Sequence, residues 1–241
     1  MDNRAIGVFD SGLGGLTAVK ELHKILPNEN IVYLGDTGRV PYGSRSRETI
    51  IKYAQQDIDF LIKKDIKMIL AACGTVSSTL PREISSKLPV PYVDSNAFGR
   101  AMRGIRSDIH VYGNPCPLLV HLVENGMIEP DNQITTLAVQ MYLEPLIKEK
   151  IDTLILGCTH YPLLYETFNR ILDYKVTLID SGQCAAKAVR NTLLKNGMLS
   201  DRTEPGTTEY NVTDEIETFD KTASIFLGEP VTGAVNRIEL L

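Results

Sequence analysis

The sequence predicts an α/β protein made of two similar three-layer halves, each with a mostly parallel sheet, related by a pseudo-twofold axis around a cleft. The first observation is a series of short apolar runs bounded by turn residues, a pattern typical of strands buried on both faces of a parallel sheet. The second is an internal repeat, because residues 63–75 align without a gap on residues 148–160. Each copy ends its strand in a cysteine, Cys73 or Cys158.

The repeat continues on both sides of these segments. Downstream, the next apolar runs end at Asp94 and Asp180, and upstream residues 31–35 resemble residues 109–113. Only fourteen residues separate Asp94 from residue 109, whereas a βα unit needs roughly 25 to 30. The second half is therefore predicted to lack its opening βα unit and to carry one short helix there, over residues 97–106. We assign residues 1–94 and 195–241 to the first domain and residues 95–194 to the second.

The remaining elements follow from apolar periodicity and turn residues. In the first half we predict strands over 5–9, 31–35, 68–72 and 90–93, with helices ending near 26, spanning 46–64 and starting near 76. In the second half we predict strands over 109–113, 154–157 and 176–179, with helices over 115–126, 134–149, from Pro162, and over 183–195. The tail is predicted to return to the first half with strands over 208–212 and 223–227.

Composition limits the classes of partner and compartment. The chain has 241 residues, 43% of them hydrophobic, and a net charge of −5 with scattered Lys and Arg, which argues against nucleic acid as a partner. The amino terminus is charged and no run reaches the roughly 18 apolar residues of a membrane span, so we predict a cytoplasmic protein with no membrane contact. Its four cysteines are expected to be reduced in that compartment.

Two opposed thiols are suited to stereochemical inversion at carbon. One thiolate removes a proton from one face of a carbon while the other thiol delivers a proton to the opposite face. A helix amino terminus after each cysteine is expected to lower the thiol pKa. Asp10 at the end of the first strand and His160 beside Cys158 are candidates to assist the two thiols. The geometry requires about 7–8 Å between the sulfur atoms, enough for one tetrahedral carbon.

Other features receive weaker interpretations. The glycine-rich turn over residues 10–17 before the first helix is suited to an anion of carboxylate size. The loop over residues 36–43 is suited to closing over a small ligand. Zinc at Cys158 and His160 is disfavoured because no second ligand pair has the usual spacing. The remaining cysteines and histidines are interpreted as packing or surface residues, namely Cys116, Cys184, His23 and His110.

Four motifs together resemble the signatures of glutamate racemases. They lie at residues 8–15, 35–43, 116–124 and 156–164 and span almost the whole chain. The resemblance implies a cofactor-independent, metal-free enzyme that supplies D-glutamate for peptidoglycan and uses Cys73 and Cys158 as opposed bases. It implies assistance from Asp10, Glu124 and His160. The substrate contacts that it implies are Asp10, Ser11, Tyr42, Gly43, Gly74, Thr75, Thr159 and His160.

The chain also departs from this family's pattern. Gly74 stands where the family has Asn, which removes an amide expected to hydrogen-bond the substrate's amino group. Gly38 stands where Ala is usual and His121 where Pro is usual, and the family's Thr-containing loop after Asp94 is missing. Two alternatives stay open at this point: a racemase for aspartate or a related acid, and a catalytically impaired relative with a binding or regulatory role. The sequence does not determine the oligomeric state, and a homodimer is the assembly that we consider.

Overall fold

A computed structural model of the chain describes residues 1–95, 109–217 and 219–240. The strands are β1 (Ile6–Asp10), β2 (Ile31–Gly35), β3 (Met68–Ala71), β4 (Tyr92–Asp94), β5 (Thr153–Leu156), β6 (Thr177–Asp180), β7 (Thr208–Val212) and β8 (Val235–Arg237). The α-helices are α1 (Leu16–Ile25), α2 (Arg47–Lys63), α3 (Gly74–Thr79), α4 (Arg82–Ser85), α5 (Pro117–Glu124), α6 (Gln133–Lys148), α7 (Tyr165–Ile171), α8 (Ser181–Lys195) and α9 (Phe219–Leu227). Short 3₁₀ turns occupy Thr37–Arg39, Tyr42–Ser44 and Tyr161–Leu164.

The larger sheet belongs to the first half. Six of the described strands pair in parallel in the order β4-β3-β1-β2-β7-β8. Alternate residues of β1 face opposite layers: Val8 packs in the cluster that contains α1, and Phe9 in the cluster that contains α2. The tail returns to this sheet through β7, which pairs with β2. The predicted α/β class and the return of the tail are confirmed.

The smaller sheet repeats one pairing of the larger one. β5 and β6 are parallel, with Leu156 opposite Asp180, and β3 and β4 are parallel, with Ala71 opposite Asp94. These are corresponding positions of the internal repeat, so both copies have the same register. Since each cysteine follows the first strand of its pair by the same number of residues, both occupy equivalent places at a strand's carboxyl end.

The prediction of a strand over residues 109–113 is wrong. These residues form neither a strand nor a helix, and the side chains of Val111 and Tyr112 are 59% and 47% exposed. A short strand in an α/β sheet needs a hydrogen-bonded neighbour and a cover on each face, and the exposure of Val111 and Tyr112 indicates that the described residues do not cover either side chain. The helix predicted over 97–106 lies outside the described residues.

The prediction of a strand over residues 223–227 is also wrong, because this segment is the end of helix α9. Phe219, Ala223, Phe226 and Leu227 are buried, and their spacing of four, three and one residues follows one face of a helix. The five-residue window was too short to distinguish this period from that of a strand. A smaller correction concerns Pro162, which lies in the 3₁₀ turn Tyr161–Leu164 just before α7.

The two predicted domains pack closely in the structure. Helix α8, assigned to the second domain, packs along α1 of the first, where Gly182 approaches the backbone of Ala18. One cluster of buried apolar residues includes Val8 of β1 and Leu156 of β5. The division at residues 94 and 195 stays a prediction. None of the helices in the described part of the chain has the length and apolarity of a membrane span.

A buried ion pair holds the segments before β2 and β3 to the amino terminus and to the segment after α8. Nζ of Lys67, which precedes β3, lies 2.5 Å from Oε2 of Glu29, and both side chains are almost fully buried. Lys67 also donates to the carbonyl oxygens of Asp2 and Met198, at 2.6 and 2.9 Å. Glu29 in turn accepts from the N–H of Ser200 at 2.8 Å. The pair thus fixes the amino terminus and the segment that follows α8 beneath the large sheet.

Glu29→Gln is expected to lower the free energy of unfolding by about 3–5 kcal/mol, because it leaves the Lys67 ammonium buried without a counter-charge. Urea unfolding measures this change. The matched control is Glu144→Gln, which breaks the exposed pair with Lys148 and is expected to leave the unfolding midpoint nearly unchanged, because water screens that pair. Equal losses in the two variants would contradict a special role for the buried pair.

Candidate active site

Cys73 forms one wall of the candidate site. It lies between β3 and α3, is 4% exposed, and donates a hydrogen bond to Oγ of Ser11 at 3.5 Å. Burial, together with the charge of Asp10, raises the pKa of the Cys73 thiol to about 12. The prediction that the helix dipole lowers this pKa is wrong, because α3 has only six residues and its effect is smaller than the desolvation of the thiolate. At neutral pH Cys73 is therefore a thiol.

Asp10 lies at the carboxyl end of β1 beside this thiol. It is 1% exposed, and its Oδ2 accepts from the N–H of Gly12 at 3.0 Å. Its Oδ1 is buried and has no hydrogen-bond partner among the residues that the structure describes. Burial raises the pKa of Asp10, and the positive charge of His160 opposes that rise. The backbone N–H groups of Gly12, Gly15 and Ser11 also oppose that rise in the pKa of Asp10.

Cys158, His160 and Glu124 form the opposite wall. Nδ1 of His160 lies 3.7 Å from Sγ of Cys158, and Nε2 lies 3.2 Å from Oε1 of Glu124 at the end of α5. His160 is 7% exposed and meets the ring of Phe226 edge-on. Burial lowers the pKa of His160, but Cys158, Glu124 and Asp10 together have a larger, opposite effect and raise that pKa to about 10. His160 is therefore an imidazolium at neutral pH and a donor to both neighbours.

A direct contact joins the two walls next to Cys158. The hydroxyl of Thr17, in the first turn of α1, donates to the carbonyl oxygen of Thr159 at 3.0 Å and lies 2.9 Å from that of Gly14. Thr159 itself is buried, and its Oγ1 lies 3.3 Å from Nδ1 of His160. The turn that carries Cys158 therefore packs against the glycine-rich loop of the first half. The separation of about 7–8 Å between the sulfur atoms stays a prediction.

The predicted substrate loop is held by a network that sequence reasoning missed. The buried hydroxyl of Tyr42 donates to Oδ2 of Asp36 and lies 3.0 Å from Oδ2 of Asp57, so its proton is not available to a ligand. Arg39 bridges the same two carboxylates, and Thr213 donates to Asp36 at 2.8 Å. Burial and the charge of Asp36 raise the pKa of Asp57. The available signal was Asp57 itself, an acid within the apolar stripe of α2 formed by Ile50, Ala54, Ile58 and Leu61.

The same network brings Gly43 to the first cysteine's helix. A Cβ on Gly43 would lie 3.9 Å from Oγ1 of Thr75, in the first turn of α3. The exposed Gly43 and the half-buried Thr75 therefore border the region around Cys73. Their contacts with a substrate stay a prediction. Gly74, between Cys73 and Thr75, faces the carbonyl oxygen of Gly157 from the opposite wall.

The other cysteines and histidines make no hydrogen bond to Cys73, Cys158 or His160 within the described part of the chain, although Nδ1 of His121 lies 4.0 Å from Oε2 of Glu124. Cys116 donates to the carbonyl oxygen of Asn114 at 3.2 Å, and burial raises its pKa to about 11. Cys184 is half-buried on α8. His23 contacts Thr208, and His110 is exposed. Within residues 1–95, 109–217 and 219–240, no three His, Cys, Asp or Glu side chains gather as metal ligands.

Comparison with known proteins identifies the family. No family model matches the chain. Glutamate racemase of Syntrophus aciditrophicus is 37% identical over 263 aligned positions, covering 98% of this chain and 96% of the relative. The chain belongs to the glutamate racemase family. The enzyme of Bacillus cereus is also 37% identical, over 95% of both chains. Because 263 positions exceed the 241 residues present, the first relative has residues without a counterpart here.

Solved structures of this family have the same fold. Glutamate racemase of Francisella tularensis, in complex with D-glutamate, matches with a TM-score of 0.90 at 36% identity and covers 100% of this chain and 99% of its own. That of Thermus thermophilus, in complex with beta-chloro-D-alanine, gives a TM-score of 0.89 at 36% identity, with the same coverage. The architecture is thus that of known glutamate racemases.

The charge on His160 is open to direct measurement. Its imidazole resonance is expected to titrate near pH 10, and Glu124→Gln is expected to lower that midpoint because one raising charge is lost. Since the folded pKa exceeds the ordinary value of 6.5, the stability it contributes is complete below pH 6.5 and is lost as pH rises through 10. NMR titration of wild type and variant checks both statements. A wild-type midpoint below 7 would contradict the imidazolium.

Proposed function

We propose that this chain is a glutamate racemase that interconverts L- and D-glutamate by two-base proton transfer between Cys73 and Cys158. The carrying observation is the equivalent placement of the two thiols: each follows the first strand of a parallel pair with the same register, and Thr17 joins the two walls beside the second. Opposed acid and base on a flat carbanion are what inversion requires. Family membership agrees with this assignment.

The direction of proton transfer follows from the surroundings of Cys73. Cys73 is buried as a thiol beside Asp10, so it is the proton donor of the pair, while Sγ of Cys158 lies 3.7 Å from Nδ1 of His160. We therefore assign Cys158 as the base that removes the α-proton in one direction. Cys73 delivers its proton to the other face of the carbanion and becomes the thiolate. Each turnover leaves the pair ready for the opposite enantiomer, so protons balance over a full cycle.

The polar groups around the thiols fit an amino acid. Oδ1 of Asp10 has a free lone pair for the substrate ammonium, and Ser11 lies beside Cys73. Gly43, Thr75 and Thr159 supply hydroxyl and backbone donors for the carboxylates. No role in this scheme calls for a metal or an organic cofactor. We extend the proposal to supply of D-glutamate for peptidoglycan in the cytoplasm, with a homodimer as the assembly to be tested.

The test is racemisation of L-glutamate in deuterated water, followed by chiral chromatography and loss of the α-proton signal. Cys73→Ala and Cys158→Ala are each expected to lower kcat by about 10²–10⁴ because one of the two proton transfers loses its carrier. Cys184→Ala is the matched control and is expected to keep wild-type activity.

The alternatives are outcomes of the same assay. Faster turnover of aspartate in a parallel incubation would assign the chain to the aspartate enzymes. Absence of exchange with either amino acid at high protein concentration would favour a binding or regulatory role. The comparisons with glutamate racemases do not favour either alternative.

A further inference from the structure

We propose that Gly74 and Gly14 are positioning residues, which set the distance between the two thiols by letting the first half close on both sides of the Cys158 turn. The proposal rests on the function proposed above. Gly157, just before Cys158, lies against Gly74, and Thr159 and His160, just after it, lie against Gly14. The second cysteine is therefore held between two first-half positions that carry no side chain.

The contact at Gly74 involves a backbone atom. A Cβ at this position would lie 2.6 Å from the carbonyl oxygen of Gly157, closer than any stable carbon–oxygen contact. The backbone at Gly74 does not have the positive φ that favours glycine, so an L-residue meets no conformational strain there. The need for glycine that the described residues show comes from the approach of the opposite wall.

The contact at Gly14 is made with side chains. A Cβ there would lie against Oγ1 of Thr159 and 2.5 Å from Cε1 of His160, and both of these residues are buried. Movement of either side chain would disturb contacts that it already makes. Oγ1 of Thr159 lies 3.3 Å from Nδ1 of His160, and the His160 ring contacts Cys158, Glu124 and Phe226. A methyl group at Gly14 therefore also pushes the Cys158 turn away.

This geometry gives a new meaning to the departure at Gly74. The volume that an asparagine side chain would enter is filled by the Gly157 carbonyl group. Restoring the family's residue is then expected to separate the walls instead of supplying a missing donor. The two interpretations predict opposite results for one substitution, because a lost amide would be regained whereas an obstructed contact would be forced open.

The decisive variants are Gly74→Asn and Gly74→Ala. Both are expected to lower the racemisation rate by about 100-fold, the scale of a displacement near 1 Å at a reacting centre. Deuterium incorporation without inversion, catalysed by one thiol alone, is expected to fall less, so the ratio of exchange to racemisation rises. A general loss of folded protein would lower both rates equally. Gly14→Ala is expected to raise the same ratio.

Gly157→Ala is the matched comparison, since a Cβ there meets no atom within 4 Å among the described residues and leaves the carbonyl in place. Its loss is expected to be at least tenfold smaller than that of Gly74→Ala. Racemisation by Gly74→Asn at or above the wild-type rate would overturn the proposal. So would an unchanged ratio of exchange to racemisation in Gly74→Ala, because the variant would then lose only folded protein.

A second measurement does not require turnover. In a Cys116→Ala/Cys184→Ala background, dibromobimane becomes fluorescent only when it links Cys73 to Cys158. Gly74→Ala is expected to slow this linkage more than Gly157→Ala does, and equal rates would contradict the proposed spacing role. An inactive wild type that still shows this difference would overturn the proposed function and leave the positioning role intact.

Discussion

The contact between the Cys158 turn and the first half is the constraint on which the site depends. The turn follows β5, whose sheet contains only β6 as a partner among the described strands. That small sheet cannot fix the direction of a side chain with the rigidity of the six-stranded sheet. The hydroxyl of Thr17 and the close approaches at Gly14 and Gly74 supply what is missing, because they attach the turn to loops leaving β1 and β3. Cys73 and Cys158 thus share one rigid support.

Burial acts on a titratable group in each wall of the site. Desolvation keeps Cys73 protonated, and the same desolvation would neutralise His160 without the charges of Cys158, Glu124 and Asp10 around it. Glu124 is only one-third exposed at its side chain, so its charge is weakly screened by water. The depth of Cys73 in the core thus keeps that cysteine a proton donor, and the charges around His160 keep the ring beside Cys158 protonated.

Strand ends and the repeat were predictable because they depend on local sequence. The apolar runs around residues 68–72 and 154–157 place both cysteines after strands, and the structure differs from those bounds by at most one residue at each end. Wrong predictions occurred where tertiary context decides. The apolar residues of 223–227 fit the period of a strand as well as that of a helix. Residues 109–113 fit a strand only if a neighbouring strand is assumed to pair with them. The pKa of Cys73 depends on depth in the core, which no pattern encodes.

Networks between distant segments were the least predictable part. Asp36 and Asp57 share the Tyr42 hydroxyl and the Arg39 guanidinium, yet they are separated by a loop and half a helix. Gly74 illustrates the same limit at the site itself. Judged by its own position it is a lost amide, but the Gly157 carbonyl lies 83 positions further along the chain and fills that volume. The effect of a departure from a family pattern therefore depends on the atoms that face the substituted residue. Here those atoms belong to the wall that carries the second thiol, so the residue after the first cysteine controls the position of the other.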